Sequence, residues 1–528
     1  MPVAEPPERA EVCIVGAGAA GGIIAAELAR RGLRVVMLES GPRHQLPERA
    51  EYVRRFLRGE NPWRTSLTGL DRYATGGRVV YPLEWNRARG VGGSTLHWEG
   101  YTLRFHANDF RLRSLYGIAD DWPISYDDLE PYYARAEGSL GVAGTTDDPW
   151  ASPRSAGFPL PSFPFSYSDG LFAQACSTLG IALHHYPQAR NSVPYGGRAQ
   201  CRACGTCHVC PTGAKATIDL THIREGEATG RLKLVTDATA LRLHADASGQ
   251  ATAVAYAGHD RRERRLPARI FVVAAGAIET ARLLLLSTSD QFPRGLANSS
   301  GVLGRFFMSH PAITVTGRLK AKVHPYRTGF SSAMSRQFAI DRMRGTRGAF
   351  MLDFLNSAGP TPNQLATSSG LWGKALREHV QNEFGHVLGI RVYCEQLPEA
   401  ANSISLDKEL KDYFGNPAPR ITYDVGSYER EALHEATGVA RRILAAAGAL
   451  DIEAHPMWLL AHQIGTHRMG TDPQSSVVDR DLRTHDVSNL YLVGSGCFVT
   501  ASASPPTLTI AALAIRAAEH IAARLRRA

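Results

Sequence analysis

Four cysteines spaced three residues apart are the residues of this chain most suited to redox or metal chemistry. Cys201, Cys204, Cys207 and Cys210 lie within ten residues, and Pro211 follows the last of them. Thiolates at this spacing can converge on one centre, as they do in ferredoxin-like iron–sulfur runs. A four-thiolate zinc site and redox disulfides are the alternatives that the spacing also allows. The segment predicts a metal or redox centre, with an iron–sulfur cluster as the favoured form.

A glycine-rich turn near the start of the chain is typical of a dinucleotide cradle. An apolar strand over residues 12–15 runs directly into Gly16, Gly18 and Gly21. The first glycine allows a tight turn, the second lets backbone amides approach a pyrophosphate, and the third lets the next helix pack closely. The phosphates would lie at the positive N-terminus of that helix. Glu39 ends the following strand, where an acid holds ribose hydroxyls and disfavours a 2′-phosphate, which leaves FAD or NAD.

Further apolar segments must complete the sheet that positions this cradle. Residues 270–277 form a continuous apolar run ending in small residues, as a strand buried on both faces does. Residues 490–496 repeat the pattern of strand and glycine turn, and residues 507–525 have helical apolar spacing. Residues 311–455 contain short strand-like runs and one amphipathic helix over residues 430–446. The pattern predicts an α/β domain that is discontinuous in sequence and a second domain built on a sheet.

The composition limits what the chain can be. Its 528 residues exceed the size at which single cores stop growing, so two or more domains are expected. The net charge of +9 comes from dispersed arginines without interleaved aromatics, which disfavours nucleic-acid binding. No apolar run reaches the length of a membrane span, and the first ten residues lack a signal-peptide pattern. We expect a cytoplasmic protein without a membrane span, and export with a signal-bearing partner subunit stays open.

Five segments in order resemble the glucose-methanol-choline (GMC) family of FAD oxidoreductases. They are the opening cradle and residues 89–98, 274–280, 303–311 and 462–509. The resemblance implies a Rossmann-like FAD-binding domain and a second α+β substrate domain whose antiparallel sheet roofs the isoalloxazine ring. The implied boundaries are residues 8–104, 215–310 and 456–528 for the FAD-binding domain, 105–214 for an insertion with the cysteine cluster at 201–210, and 311–455 for the substrate domain.

The same resemblance implies the residues that hold FAD. They are Gly16, Gly18, Ala19, Gly21, Glu39, Ser40, Arg89, Gly92, Gly93, Ser94, His97, Val235, Ala275, Gly276, Gly494, Pro506 and Thr507. Residues 91–98 and 121–133 are similar to those of pyranose oxidases and sugar dehydrogenases, so carbohydrate is the favoured substrate class. In some of these relatives a histidine at the position of His97 is joined to the flavin 8α carbon. A covalent link and simple packing beside the flavin both remain open for His97.

The family's catalytic histidine corresponds to His462, four residues before Thr466. Oxidation of an alcohol needs a base near the flavin to take the hydroxyl proton. Relatives place a second histidine or an asparagine where this chain has Pro505, which offers no side-chain donor. Either His462 does both jobs, or Ser502, Ser504 or a group from the substrate domain supplies the missing hydrogen bond.

The combined prediction is an FAD-dependent dehydrogenase that oxidises a hydroxyl of a sugar, glycoside or sugar-containing natural product. An iron–sulfur cluster would pass electrons singly to an acceptor protein or a quinone. Relatives have three residues between the last two cysteines, whereas only His208 and Val209 intervene here, which leaves the cluster type open. One variant of the prediction is a tailoring enzyme for aminoglycosides or other natural products. The alternative from another class is a GMC-fold lyase such as a hydroxynitrile lyase, which Pro505 favours.

Overall fold

A computed structural model describes residues 10–63, 69–325, 328–340, 342–455 and 460–527 of the chain. Its strands are β1 Ala10–Val15, β2 Val35–Leu38, β3 Ala74–Gly76, β4 Ala143–Gly144, β5 Leu160–Pro161, β6 His184–His185, β7 Leu232–Val235, β8 Thr239–Ala245, β9 Ala251–Ala257, β10 Glu263–Val273, β11 Met308–Arg318, β12 Ala333–Ser335, β13 Phe350–Leu355, β14 Val387–Cys394, β15 Ser403–Lys411, β16 Pro417–Thr422, β17 Leu450–His455, β18 Leu460–Ile464 and β19 Leu490–Leu492. Its helices are α1 Ala19–Arg30, α2 Arg49–Leu57, α3 Leu83–Asn86, α4 Leu112–Tyr116, α5 Tyr126–Leu140, α6 Tyr167–Thr178, α7 Arg224–Ala228, α8 Gly276–Leu286, α9 Pro362–Ser369, α10 Gly373–Glu383, α11 Ser427–Ala446 and α12 Thr507–Arg527.

One sheet is built on the apolar strands from both ends of the chain. Its order is β7-β2-β1-β10-β9-β8, and β19 also pairs with β10. The pairs among β7, β2, β1, β10 and β19 are parallel, which brings the carboxyl ends of these strands to one edge. The last part of β10, residues 268–273, pairs with β1, whereas residues 263–267 pair antiparallel with β9. Strands β1, β2 and β19 and the last part of β10 are mostly buried, as their apolar sequences require.

A second sheet is antiparallel and lies mostly within the block that the sequence assigned to a second domain. Its order is β17-β11-β14-β13-β12-β6, and β18 also pairs with β11. Helix α11 packs against β11 and β14. Its buried face carries alanines and aliphatic residues at helical spacing, namely Ala432, Ala436, Val439, Ala440 and Ile443. The helix covers one face of this sheet, because these side chains join its hydrophobic core.

The sheet content confirms the predicted fold class, an α/β Rossmann-like unit combined with a second α+β unit on an antiparallel sheet. The helix predicted over residues 430–446 is α11, and the one predicted over residues 507–525 is α12. None of the described helices is both long enough and apolar enough to cross a bilayer.

A β-bulge interrupts the pairing of β18 with β11 in the second sheet. Met308 pairs with Ile464, and His310 pairs with Ala461. Two residues, His462 and Gln463, therefore lie opposite the single residue Ser309. Bulges re-aim side chains, and this one lies between the two paired ends of β18.

Candidate active site

The first glycine turn forms a cleft that no larger residue could form. Gly16 has a φ of +100°, and a Cβ there would lie 2.6 Å from the carbonyl oxygen of Ala274. A Cβ on Gly21 would overlap the carbonyl oxygen of Gly16. Both positions need glycine so that the strand, the turn and helix α1 can pack this closely. The open N-terminus of α1, which begins at Ala19, is left facing the cleft and suits a pyrophosphate.

A second glycine turn closes against the first. Gly93 has a φ of +53°, and a Cβ there would lie 2.8 Å from the Cα of Gly18. Arg89, at the start of this turn, forms ion pairs with Asp71 and Glu279, the latter at 2.9 Å. These ion pairs tie the turn to helix α8, whose first residues line the same cleft.

Glu39 lies at the adenosine end expected for the cleft. Its carboxylate accepts the backbone N–H groups of Ala17 and Gly41, both at 2.9 Å. Burial raises the pKa of Glu39, although these amides and Arg89 oppose the rise. The carboxylate lines the cleft and retains acceptor capacity for ribose hydroxyls. The cradle and this acid together fit FAD.

The cleft gathers most, but not all, of the predicted cofactor residues. Those that line it are Gly16, Gly18, Ala19, Glu39, Ser40, Arg89, Gly93, Ser94, Ala275, Gly276 and Gly494. Those outside its lining are Gly21, Gly92, His97, Val235, Pro506 and Thr507. Sequence reasoning missed other lining residues, namely Leu70, Arg87, Ala238, Thr239, Ala240, Glu279, Gln463 and Ser495. Residues 238–240 belong to no motif, so only the tertiary fold could have identified them.

His97 lies in a neighbouring cavity rather than in the cleft. This cavity has a volume of about 310 Å³, is lined by aromatic residues including Trp63 and His208, and shares Arg87 and Ala88 with the cleft. The Nε2 atom of His97 is buried without a hydrogen-bond partner among the described residues. Burial lowers the pKa of His97 to about 3, so its imidazole is neutral. An unpaired Nε2 on a neutral imidazole beside the cleft is compatible with the covalent link to the flavin that the sequence left open.

His462, the predicted base, lies in the β18 bulge. Its φ is +71°, a strained conformation for a residue with a Cβ, and such strain clusters at functional sites. The next residue, Gln463, lines the cleft. His462 Nδ1 lies 2.8 Å from His310 Nδ1. Burial, His310 and Arg391 together hold the pKa of His462 well below its ordinary value, so the imidazole is neutral.

The segment around Pro505 is held in place by hydrogen bonds and provides no second imidazole. The Ser502 hydroxyl donates to Asp109 Oδ2 at 2.8 Å, and the Ser504 amide donates to Ser502 Oγ at 3.2 Å. The side chain that contacts the His462 ring comes from strand β11 of the second sheet. It is His310, a residue within a recognised motif for which the sequence suggested no role.

His467 has a packing role. Its Nδ1 lies 3.0 Å from Thr466 Oγ1, and its ring fills the space where a side chain at Gly496 would lie. The His467 side chain is buried.

A cluster of buried charges lies next to the two histidines. Arg391 donates to Glu99 Oε2 and to Asp353 Oδ2, both at 2.6 Å. The guanidinium carbon lies 5.0 Å from the ring centre of Tyr393, which in turn lies 5.9 Å from that of His462. Burial opposes ionisation of Glu99, but Arg391 outweighs it and lowers the Glu99 pKa to about 2.

Two oxygen atoms in this cluster are unpaired. Asp353 Oδ1 and the Tyr186 hydroxyl are buried without a hydrogen-bond partner among the described residues. Buried polar atoms are nearly always paired, so these atoms suit a polar ligand. Sequence reasoning missed the whole cluster, because its members are scattered from residue 99 to residue 391.

The four predicted metal ligands do not converge. Cys207 Sγ accepts from Arg190 Nη1 at 3.0 Å, and Cys210 Sγ accepts the Lys215 amide at 3.2 Å. Cys204 is exposed, and all four thiols are free. Within the described ranges, no group of three or more His, Cys, Asp or Glu side chains is placed to hold a metal ion. As placed here, the sulfur atoms share no three-ligand centre and form no disulfide.

Family profiles cover most of the chain. A profile described as GMC oxidoreductase matches residues 73–312 with its N-terminal part and residues 398–514 with its C-terminal part. A profile for an FAD binding domain matches residues 9–55, which contain the first glycine turn and Glu39.

Similar proteins match along their whole length. The large subunit of fructose dehydrogenase from Gluconobacter japonicus is 35% identical, and the match covers 97% of each chain. The 2-methyl-1,2-propanediol dehydrogenase of Mycolicibacterium austroafricanum is 31% identical over 98% of this chain and 96% of that one. Formate oxidase from Aspergillus oryzae has a similar structure, with a TM-score of 0.70, 16% identity, and coverage of 99% of this chain and 100% of that one. At that identity the likeness shows the fold alone.

Proposed function

The chain belongs to the glucose-methanol-choline oxidoreductase family, and we propose that it oxidises a hydroxyl of a sugar, glycoside or sugar-containing natural product to a carbonyl. The observation that carries this proposal is His462, a neutral imidazole in a strained bulge, adjacent in sequence to a residue of the FAD cleft. FAD, when bound, supplies the acceptor for the hydride that leaves the carbinol carbon.

His462 acts as the general base in this proposal. Its pKa lies well below the ordinary value, so at neutral pH the imidazole is unprotonated and can take the hydroxyl proton. Arg391, whose charge disfavours the imidazolium, is part of the reason. The low proton affinity implies that the proton is released again once the carbonyl product has formed.

The buried charge cluster supports a polyhydroxylated substrate. Glu99 retains partial exposure, with 28% of its side chain accessible, while Asp353 is fully buried behind it. Carboxylates accept hydrogen bonds from hydroxyl groups, and Arg391 fixes both carboxylates in position. A sugar can satisfy several such acceptors at once, whereas a simple alcohol can satisfy one.

For the cofactor we propose a covalent link through His97. Its support is the buried, unpartnered Nε2 of a neutral imidazole beside the cleft. Lys215 holds the turn that carries His97, because its Nζ donates to the carbonyl oxygens of Leu96 at 3.2 Å and Trp98 at 2.5 Å.

For the cysteine segment we propose that an iron–sulfur centre assembles only after rearrangement, and no step of the reaction above depends on it. Support comes from Cys210: burial opposes ionisation of its thiol, but the neighbouring Lys215 and Arg190 outweigh burial and lower its pKa. Anaerobic reconstitution with ferrous iron and sulfide should give a visible band and bound iron, both lost in Cys207→Ser. Protein that binds no iron above the level of this variant would overturn the proposal. A centre of this kind would pass electrons to an acceptor protein or a quinone.

Anaerobic flavin reduction tests the reaction itself. Addition of the right sugar or polyol should bleach the oxidised flavin, and His462→Ala should lower the rate by about 10²–10⁴-fold, the usual contribution of a general base. His434→Ala, a change on helix α11, serves as the control and should bleach at the wild-type rate. Flavin that stays oxidised with every sugar and alcohol tried would contradict the proposal and favour a lyase.

A further inference from the structure

We propose that His310 is a positioning residue that fixes the tautomer of His462, so that the proton of His462 is on Nδ1 and its Nε2 is free to act as the base. The inference rests on the proposed role of His462 as base. It assigns a role to a residue of the second sheet for which the motifs suggest none.

The first step concerns the far side of the His310 ring. His310 is fully buried, and its Nε2 lies 3.3 Å from the carbonyl oxygen of Ala501. A carbonyl oxygen only accepts hydrogen bonds, so Nε2 of His310 must carry a proton. Burial lowers the pKa of His310 to about 4, so the ring is neutral and holds no second proton. Its Nδ1 is therefore an acceptor.

The second step concerns the short contact between the two rings. The two Nδ1 atoms lie 2.8 Å apart, a distance that requires a hydrogen between them. Since His310 Nδ1 carries no hydrogen, His462 Nδ1 must donate. A neutral imidazole has one N–H, so Nε2 of His462 is left unprotonated. The His462 residue is partly exposed, and its Nε2 has no hydrogen-bond partner among the described residues.

The third step concerns what holds Ala501 in place. Asp109 holds the residues on either side of Ala501. Its backbone carbonyl accepts from Thr500 Oγ1 at 3.0 Å, and its Oδ2 accepts from Ser502 Oγ at 2.8 Å. Arg344 pairs with the other oxygen of Asp109 at 2.6 Å. The carbonyl that sets the tautomer is thus held on both sides.

His310 acts through His462 rather than on the substrate. Both of its ring nitrogens are engaged, one with Ala501 and one with His462, and its side chain is inaccessible. The arrangement is the one by which a buried acceptor orients a catalytic imidazole in hydrolases, where the wrong tautomer costs about 10⁴-fold in rate. Here the acceptor is a neutral imidazole, which adds no buried charge.

The decisive measurement is the tautomer of His462 in the flavin-loaded protein. Nitrogen-15 NMR of histidine-labelled protein, with the His462 signals identified by their loss in His462→Gln, should show Nδ1 protonated and Nε2 unprotonated. A proton on Nε2 of His462 would overturn the inference. This measurement needs no substrate and no turnover, so it decides even if His462→Ala still bleaches and the proposed function fails.

Two substitutions give an independent kinetic test. His310→Asn keeps an acceptor near the Nδ1 position and should reduce flavin within about 10-fold of the wild-type rate, whereas His310→Phe removes the acceptor and should slow reduction by about 10²–10⁴-fold with little change in KM. His222→Phe is the matched control, because His222 is also a buried histidine with hydrogen bonds on both nitrogens, here to Thr221 and Ser139. Equal rates for His310→Phe and His222→Phe would overturn the inference. If His310→Phe does not fold, the tautomer measured in the wild-type protein decides.

Discussion

At the scale of single residues, two conformations that ordinary side chains avoid occur in the segment that carries His462. His462 takes a φ of +71°, and Thr466, four residues later, takes a φ of +107°. Such conformations persist only when surrounding contacts over-determine them. Around His462 those contacts are the bulge opposite Ser309 and the hydrogen bond to His310. The imidazole is therefore fixed before any substrate arrives.

Gly21→Ala should abolish FAD binding. A Cβ at this position overlaps the carbonyl oxygen of Gly16, so the turn and helix α1 must separate. We expect apoprotein without flavin absorbance and a thermal midpoint below that of the wild type. Gly138→Ala, at a glycine of helix α5 with open space around it, is the control and should be neutral or stabilising by up to about 1 kcal/mol. Full flavin content in Gly21→Ala would contradict the prediction.

Glu99→Gln should make the protein less sensitive to acid. Although burial opposes ionisation, Arg391 lowers the folded-state pKa of Glu99 from 4.5 to about 2. A lowered folded-state pKa stabilises the fold above the unfolded-state pKa, and this stabilisation is lost as the pH falls toward 2. The wild type should exceed the variant in unfolding free energy by on the order of 1–3 kcal/mol above pH 5. This difference in unfolding free energy should disappear between about pH 4.5 and pH 2. Urea unfolding at each pH measures it. A difference that stays constant with pH would refute the prediction.

At the scale of elements, buried ion pairs hold the segment of residues 500–502, which contains the Ala501 carbonyl that accepts from His310. Arg344 is fully buried and pairs with Asp109 at 2.6 Å and with Glu395, whose Oε1 lies 2.9 Å from its Nε. Asp109 in turn holds the segment on both sides of Ala501. The Arg344 guanidinium thus connects the segment around Asp109, the end of the second sheet at Glu395 and the turn before α12.

Arg344→Met should destabilise the protein by about 3–5 kcal/mol, because it leaves two buried carboxylates without a cation. The free energy of unfolding in urea measures the effect. Arg113→Met provides the matched control, since Arg113 pairs with Asp120 at 3.6 Å and both side chains are at least half exposed. Its cost should stay below about 1 kcal/mol. Equal costs for the two substitutions would contradict the assigned role.

At the scale of the whole molecule, the FAD cleft joins pieces that are distant in sequence. Its lining comes from the first glycine turn, the turn at residues 87–94, the start of β8, helix α8 and the turn after β19. Because a ligand that binds only the folded state stabilises it, FAD should hold these pieces together.

Removal of FAD should lower the thermal midpoint, and the way FAD is held decides whether added FAD restores it. With a link at His97, flavin should remain with acid-precipitated protein and the midpoint should not depend on free FAD. His97→Ala should release its flavin on precipitation and gain about 2.7 kcal/mol when FAD is present at 100 times its Kd. Wild-type flavin that is fully released by acid would contradict the link. His106→Ala removes the capping histidine of the short helix Ala107–Phe110. It is the control and should keep its flavin on acid precipitation.

The sequence by itself determined the fold class, the first glycine turn and the family, because these depend on local patterns: apolar strands, glycines at fixed spacing and an acid at a strand end. It also identified His462 and the four cysteines as candidates. These signals lie within a few residues of one another, so no long-range contact is needed to read them.

The tertiary structure alone decided what surrounds those candidates. His310 and His462 are separated by 152 residues and meet only because β18 pairs with β11. The cluster of Glu99, Asp353 and Arg391 is equally remote in sequence. The cysteines show the converse, since regular spacing brought no three thiols together. Contacts of this kind depend on strand register and on one-residue bulges, whose energies are set by packing across the whole core rather than by local sequence.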